Sequence, residues 1–87
     1  MHIGYVLLNC DLGAEEYVVE ELKNISEVQK AYLTFGAYDV IAEIHASTQE
    51  EFEKTVSNKI RRLSRVVSTM TLKVINPEWL LYKKIIF

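Results

Sequence analysis

The stretch VQKAYLTFGAYDVIAEIHA, residues 28–46, decides the fold because it places two predicted strands in direct succession. β-Branched and aromatic residues over Val28–Phe35 predict the first strand, and Tyr38–Ala46 predicts the second. Gly36 and Ala37 lie between them and predict a tight turn. The two strands therefore form an antiparallel hairpin in the middle of a short chain.

The segment before the hairpin predicts a strand followed by a helix. Aliphatic residues fill Ile3–Cys10, which is typical of a strand. Glu15 and Glu16 follow at a helix start, where the helix dipole favours negative charge. Apolar residues then recur with helical spacing on one face: Ala14, Tyr17, Val18, Leu22 and Ile25.

The segment after the hairpin predicts a second helix and a fourth strand. Thr48 and Glu51 form a capping box at the start of the helix, which we expect over STQEEFEKTVSNKIRRL, residues 47–63. A strand is predicted over Arg65–Ile75 and ends before Asn76 and Pro77. The apolar stripe of the helix consists of Phe52, Val56, Ile60 and Leu63.

The resulting order, β-α-β-β-α-β, predicts an α+β ferredoxin-like sandwich with an antiparallel four-stranded sheet and both helices on one face. The predicted strand order is 4-1-3-2, which puts the fourth strand and the outer hairpin strand at opposite edges. Both alternating sets of residues in the first and third strands are largely apolar, although Glu43 and His45 interrupt the third. We therefore expect the face without helices to be buried against a second copy of the chain.

Composition and charge narrow the function classes. The chain has 87 residues, of which 49% are apolar, and this suits a single domain with a packed core. A net charge of −2 disfavours a nucleic-acid-binding module. The basic cluster Lys59, Arg61, Arg62 and Arg65 complements the dipole at a helix end, so we expect no sequence-specific DNA binding by this chain alone. With Cys10 as its single cysteine and no signal peptide or membrane span in view, we expect a cytoplasmic protein.

Catalytic and metal-binding patterns are poorly represented. His2 and His45 lie far apart in the sequence and have no nucleophile at a readable spacing. One cysteine and two isolated histidines give no pair of metal ligands. Gly4, Gly13 and Gly36 are too scattered to form a phosphate-binding loop. We therefore expect no catalytic residue, metal ion or cofactor.

Two motifs remain for function: the hairpin segment TFGAYD, residues 34–39, and the strand segment STMTLKVI, residues 68–75. Thr69 and Thr71 point to the same face of their strand because side chains alternate. Each motif also has an ordinary structural reading, since threonine suits strands and Gly36 suits a turn.

From Tyr5 to Ile75 the chain resembles the effector-binding domain, often called the RAM domain, of the Lrp/AsnC family of leucine-responsive regulators. FGAYDVIAEI resembles the G-x-(Y/H)-D hairpin of that family, and KIRRLSRVVSTMTLKVI resembles its basic helix end and S-T-x-T strand. The resemblance implies a dimer packed sheet to sheet, rings of dimers that are commonly octamers, and a free amino acid bound where dimers meet. The counterpart positions of that site are Leu33, Thr34, Gly36, Tyr38, Asp39, Thr69 and Thr71.

Full members of that family carry an N-terminal helix-turn-helix, whereas this chain starts at its first predicted strand. We therefore expect a stand-alone amino-acid-binding domain over residues 1–76, which modulates transcription by assembling with a DNA-binding Lrp/AsnC regulator. The tail over residues 77–87 lies outside the shared motif. Two alternatives stay open: a dimeric α+β-barrel enzyme with Tyr5, Asn9 and His45 as candidate residues, and a purely structural oligomerisation module.

Overall fold

The computed structural model describes residues 1–75, and its elements follow the predicted order. The predicted tail, residues 77–87, lies outside the described residues. The strands are β1 (His2–Cys10), β2 (Val28–Leu33), β3 (Val40–Ala46) and β4 (Val66–Lys73). The helices are α1 (Glu15–Lys23) and α2 (Gln49–Lys54), and α2 continues into a π-helical turn, Thr55–Ile60, called the π segment below.

The strands form one antiparallel sheet in the order β2-β3-β1-β4. This order confirms the predicted ferredoxin-like architecture, with β2 and β4 at opposite edges. Leu8 of β1 pairs with Val40 of β3 on one side and with Thr69 of β4 on the other. Neither helix among residues 1–75 is long and apolar enough to cross a membrane.

The core lies between the helices and one face of the sheet. The even-numbered positions of β1 and β3 supply the sheet side of this core, and the helices supply the other side. Burying a large aliphatic side chain contributes about 1.5–3 kcal/mol, so this face is well stabilised within a single chain. The main core residues are Val6, Leu8, Val40, Ala42, Ile44, Val18, Leu22, Phe52, Val56 and Ile60.

Gly4 allows α2 to lie close to β1. A Cβ added at Gly4 would lie 2.7 Å from the carbonyl oxygen of Leu72 and even closer to the ring of Phe52. The ring of Phe52 therefore occupies the space that any larger residue would need.

Residues 1–75 place no element over the other face of the sheet. Tyr32, Met70 and Leu72 remain about half exposed on this face, at 47%, 47% and 52%. Its polar interruption is a hydrogen-bonded pair on β3, with His45 Nε2 placed 2.6 Å from Glu43 Oε2. A partly exposed apolar surface of this kind marks an interaction site.

The hairpin connection is wider than the predicted tight turn. β2 ends at Leu33 and β3 begins at Val40, so the prediction that the strands reach Phe35 and Tyr38 is wrong. The loop over residues 34–39 is closed internally: the Thr34 N–H donates to the carbonyl oxygen of Asp39 at 2.9 Å. The Thr34 hydroxyl also donates to the carbonyl oxygen of Tyr38 at 2.5 Å.

Tyr17 does not belong to the buried stripe of α1. It is 48% exposed, and the guanidinium of Arg65 lies 5.9 Å from its ring centroid. Val19, which is 9% exposed, lies in the core instead. Residues of the loop before β4 contact Tyr17 at the surface, since its hydroxyl also lies 3.4 Å from the Ser64 hydroxyl.

The second helix begins as predicted but changes its geometry halfway. Thr48 Oγ1 accepts a hydrogen bond of 3.0 Å from the Glu51 N–H, which confirms the predicted N-cap. A continuous α-helix over residues 47–63 is wrong, because the turn beyond Lys54 is π-helical and the Arg61 N–H donates to the carbonyl oxygen of Val56.

The π segment is compatible with the spacing of the core residues. Phe52, Val56 and Ile60 follow one another at intervals of four, and each such step drifts by roughly 40° around an ideal α-helix. The wider π turn offsets this drift, so all three side chains stay buried against the sheet.

Candidate functional site

The hairpin loop is joined to the end of β1 through Asp39. The Asp39 N–H donates to the carbonyl oxygen of Leu8 at 2.9 Å. Asp39 Oδ2 accepts a hydrogen bond of 3.0 Å from the Cys10 N–H and lies 3.8 Å from the Cys10 sulfur. Asp39 therefore holds the loop in place with both its backbone and its side chain.

The same contacts control the chemistry of Cys10. Burial raises the pKa of the Cys10 thiol, and the negative charge of Asp39 raises this pKa further. The thiolate is the reactive form of cysteine, so Cys10 is a weak nucleophile at neutral pH.

An open cavity of about 550 Å³, called the hairpin cavity below, lies beside this loop. Four of the predicted ligand-binding residues line it together: Leu33, Thr34, Gly36 and Asp39. The remaining lining residues are Phe35 from the loop and Glu15 and Glu16 from the first turn of α1. The fold thus brings the hairpin half of the predicted site into one concave surface.

The hairpin cavity is acidic. Carboxylates of Glu15, Glu16 and Asp39 line it, and no basic side chain does. Such a lining attracts a positively charged group. The sequence predicts the two glutamates only as residues of the helix start. Their approach to the hairpin depends on the path that β2 takes past α1.

The loop also offers unpaired backbone donors. Within the described part of the chain, the N–H groups of residues 35–38 donate no hydrogen bond to the protein. Gly36 adopts φ 137°, a conformation that favours glycine, and a Cβ there would meet no atom within 4 Å. Glycine is therefore required for the shape of the loop, and unpaired N–H groups in such loops can bind an anion.

The other predicted site residues lie elsewhere. The Tyr38 hydroxyl donates to the sulfur of Met70 at 3.6 Å and does not line the hairpin cavity. Thr69 and Thr71 are on β4, which β3 and β1 separate from β2. A single chain therefore does not assemble the complete predicted set.

The threonines of β4 have different surroundings. Thr69 Oγ1 accepts a hydrogen bond of 3.3 Å from Arg61 Nε. Thr71 pairs with Val6 in the sheet register, so its side chain lies on the face that the helices cover. There it lines a second, smaller cavity of about 180 Å³, called the β4 cavity below.

A third cavity, of about 410 Å³, lies at the start of α2, and four of its five charged side chains form two pairs. Lys59 Nζ donates to Glu27 Oε1 at 2.8 Å, and this hydrogen bond lowers the pKa of Glu27. Lys54 Nζ lies 2.8 Å from Glu50 Oε1. Because these four charges satisfy one another and only the Glu51 carboxylate has no such partner within residues 1–75, this surface offers a ligand less than the hairpin cavity does.

The residues considered for an enzyme lie outside these cavities. Tyr5, Asn9 and His45 line none of the three. His45 pairs with Glu43, and Asn9 Nδ2 donates to the Ser68 hydroxyl at 3.5 Å.

Similarity to known proteins defines the family. The sequence matches the family model of the Lrp/AsnC ligand binding domain over residues 4–78. It is 35% identical over 60 residues to YugG, an uncharacterized HTH-type transcriptional regulator of Bacillus subtilis (strain 168). That match covers 69% of this chain and 36% of YugG, so the chain spans only about a third of its relative.

Solved structures show the same architecture. A hypothetical protein of Pyrococcus horikoshii matches with a TM-score of 0.83 and 28% identity, over 90% of this chain and 94% of that chain. A transcriptional regulator of Neisseria meningitidis, solved as a complex with L-Met, shares the fold with a TM-score of 0.77 and 13% identity. The latter match covers 88% of this chain and 51% of the regulator. This chain belongs to the Lrp/AsnC ligand-binding domain family.

Proposed function

We propose that this domain is a non-catalytic sensor that binds a free amino acid in the hairpin cavity. The observation that carries the proposal is the combination of acidic side chains and unpaired backbone N–H groups around Gly36. A free amino acid carries an ammonium and a carboxylate at neutral pH, and this cavity offers groups of opposite polarity for both.

Asp39 is the ammonium partner in this proposal. One of its carboxylate oxygens holds the Cys10 N–H, while the other has no hydrogen-bond partner among residues 1–75. A charge-assisted hydrogen bond contributes about 1.5–3 kcal/mol. The ligand carboxylate accepts hydrogen bonds from the loop N–H groups. The side chain of the ligand packs against Leu33 and Phe35, which are exposed in the free domain.

The Neisseria regulator supports this choice of ligand class, because a protein of the same fold was solved with bound L-Met. The apolar character of Leu33 and Phe35 suits an amino acid with an apolar side chain. The two additional carboxylates, Glu15 and Glu16, disfavour an acidic amino acid by like-charge repulsion.

We further propose that the domain works as a dimer that assembles into larger rings, such as octamers. The uncovered sheet face, with Tyr32, Met70 and Leu72, supplies the dimer interface, for which roughly 800 Å² per partner is typical. Thr69 lies at the opposite edge from the hairpin cavity, so it reaches the ligand only from a neighbouring subunit.

In this proposal the domain resides in the cytoplasm and acts on transcription indirectly. Hetero-assembly with a DNA-binding Lrp/AsnC regulator would supply the DNA contact, and ligand binding here would alter that assembly. The similarity to part of YugG, an HTH-type regulator, supports this role.

A binding panel tests the proposal against its alternatives. Thermal shift and calorimetry with the twenty amino acids, haem and flavin are expected to identify an amino acid, and Asp39→Ala is expected to abolish or weaken its binding. A cofactor response without an amino-acid response supports an enzyme, and no response at all supports a structural module. Sedimentation at micromolar concentration tests the dimer separately, because a 10.1 kDa species alone would contradict it.

A further inference from the structure

The uncovered sheet face carries opposite charges close together on a largely apolar surface. Alternation places the odd-numbered residues of β1 and β3 on this face, because their even-numbered residues fill the core. Lys30 of β2 pairs with Glu43 of β3 in the sheet register, so both side chains lie on this face. The apolar side chains on the same face include Tyr5, Leu7, Ile41, Met70 and Leu72.

The carboxylate of Glu43 is only half satisfied within the chain. Its Oε2 lies 2.6 Å from His45 Nε2, whereas its Oε1 has no hydrogen-bond partner among residues 1–75. The side chain of Glu43 is 19% exposed. When another surface covers this face, the carboxylate loses its remaining water, and this loss is costly unless a positive or hydrogen-bonding group replaces the water.

Lys30 is the second charged group on this face that lacks a partner. It stands directly opposite Glu43 in the register, at the β2 edge of the sheet, and it is exposed. Within residues 1–75 it forms no ion pair, whereas Lys23, Lys54 and Lys59 each pair with a glutamate. The ammonium of Lys30 is therefore available to a carboxylate on a surface that docks here.

A second copy of the same chain suits both groups. In a dimer with two-fold symmetry, a contact between two different residues occurs twice, with the roles of the copies exchanged. A face that carries both a free ammonium and a half-free carboxylate can therefore be complementary to itself. A partner surface with a single sign of charge satisfies only one of the two groups.

We propose that Lys30 and Glu43 determine which chain docks on the uncovered sheet face: in a dimer of identical chains, Lys30 of each copy pairs with the partner's Glu43. This selection presupposes the dimer proposed above. His45 keeps its hydrogen bond to Glu43 within the same chain and orients the carboxylate. A chain that places like charges at these positions is rejected, because like charges that meet on a desolvated face oppose docking.

Exchanging the two charges tests this proposal. Glu43→Lys leaves two positive groups on the face and Lys30→Glu leaves two negative ones, so each variant alone is expected to dimerise about tenfold more weakly or worse. An equimolar mixture is expected to recover the dimer, because both contacts between the two variants join opposite charges. Sedimentation velocity at micromolar concentration measures each protein and the mixture. Native mass spectrometry with one variant ¹⁵N-labelled shows whether the recovered dimer contains one copy of each.

Matched controls and milder variants accompany the exchange. Glu20→Lys and Lys23→Glu alter a surface pair on α1, on the helix-covered side of the sheet, and are expected to leave the dimer unchanged. Circular dichroism verifies the fold of each variant. Glu43→Gln and Lys30→Gln avoid like-charge repulsion within the chain, and they are expected to weaken the dimer by similar factors. Their double variant is expected to lose no more than either alone, since both remove the same contact.

The outcomes separate this selection from the dimer itself. If the wild type dimerises but the mixture does not recover the dimer, or if the two glutamine variants act additively or without effect, the assignment of Lys30 and Glu43 is overturned while the dimer stands. A wild-type chain that sediments only as a 10.1 kDa species would overturn the proposed dimer, and the selection with it.

Discussion

The two edges of the sheet present different charge to a ligand. The hairpin edge carries the carboxylates of Glu15, Glu16 and Asp39 around a wide cavity. The β4 edge carries one arginine, Arg61, and one glutamate, Glu53, beside a narrow cavity, and the buried hydroxyl of Thr71 there has no partner among residues 1–75. The first is built by a short loop on the surface, and the second by packing of the π segment against β4. Substitutions can therefore alter either edge separately.

The largest expected effect contrasts two phenylalanines. Phe52 is 3% exposed and forms the floor of the β4 cavity, whereas Phe35 projects fully into solvent at the hairpin. We expect Phe52→Ala to lower the free energy of unfolding by about 3–5 kcal/mol, and Phe35→Ala to change it by less than about 0.5 kcal/mol. Urea denaturation of the two variants measures the difference. Similar losses in both would mean that the hairpin loop packs more tightly than the structure shows.

Substituting Thr71 is expected to change the free energy of unfolding less, and to raise it rather than lower it. The buried Thr71 hydroxyl has no partner among residues 1–75, and removing it relieves an unfavourable desolvation cost. Thr71→Val is therefore expected to raise the free energy of unfolding by about 1 kcal/mol. Thr69→Val, which loses the hydrogen bond from Arg61 at the surface, is expected to lower it slightly. A clear loss of stability in Thr71→Val would show that this hydroxyl has a partner in solution.

The ion pair between Lys59 and Glu27 connects the π segment with the loop before β2, and it predicts a pH dependence. The hydrogen bond from Lys59 lowers the pKa of Glu27 below its ordinary value of 4.5 in the folded state. Its stabilising contribution is therefore fully present above about pH 4.5 and is lost as the pH falls through the lower, folded pKa.

We expect Lys59→Met to destabilise the domain by at most about 1 kcal/mol at pH 7, and the difference from the wild type to shrink in acid. Thermal melts at a series of pH values test this, with Arg62→Met as the control. A difference that stays constant below pH 4 would assign the effect of Lys59 to packing rather than to charge.

The last prediction concerns the reactivity of the Cys10 thiol rather than the stability of the domain. Because burial and Asp39 raise its thiol pKa, alkylation by iodoacetamide at pH 8 is expected to be slower than that of a free thiol. Asp39→Asn removes one of these two causes and is expected to accelerate alkylation. Equal rates in wild type and variant would show that the carboxylate does not act on the thiol.

Local signals predicted the strand order, the edges and the start of α2. The N-cap at Thr48 and the alternation in β1 and β3 depend only on nearby residues, and the structure confirms them. The reciprocal half of the predicted capping box, from the Thr48 N–H to the Glu51 side chain, does not form among residues 1–75. The hairpin loop was only partly predicted. Gly36 does need an unusual conformation, but the connection spans residues 34–39 and is closed by hydrogen bonds of Thr34.

Features that depend on long-range packing could not be predicted from the sequence. Nothing local in the sequence shows that Glu15 and Glu16 line the same cavity as Asp39. The spacing of apolar residues does not predict the π segment, because Phe52 and Val56 fit an α-helix equally well. The unpaired state of Thr71 likewise follows only from the register of β4 against β1.

Calorimetry of Asp39→Asn against the wild type tests the central claim most directly. Asparagine keeps an oxygen that can accept the Cys10 N–H, so the loop is retained while the negative charge is removed. We predict that the amino acid bound by the wild type binds the variant about ten- to a hundredfold more weakly, with the fold unchanged by circular dichroism. Equal affinity in the two proteins would contradict the assignment of Asp39 as the ammonium partner and of the hairpin cavity as the amino-acid site.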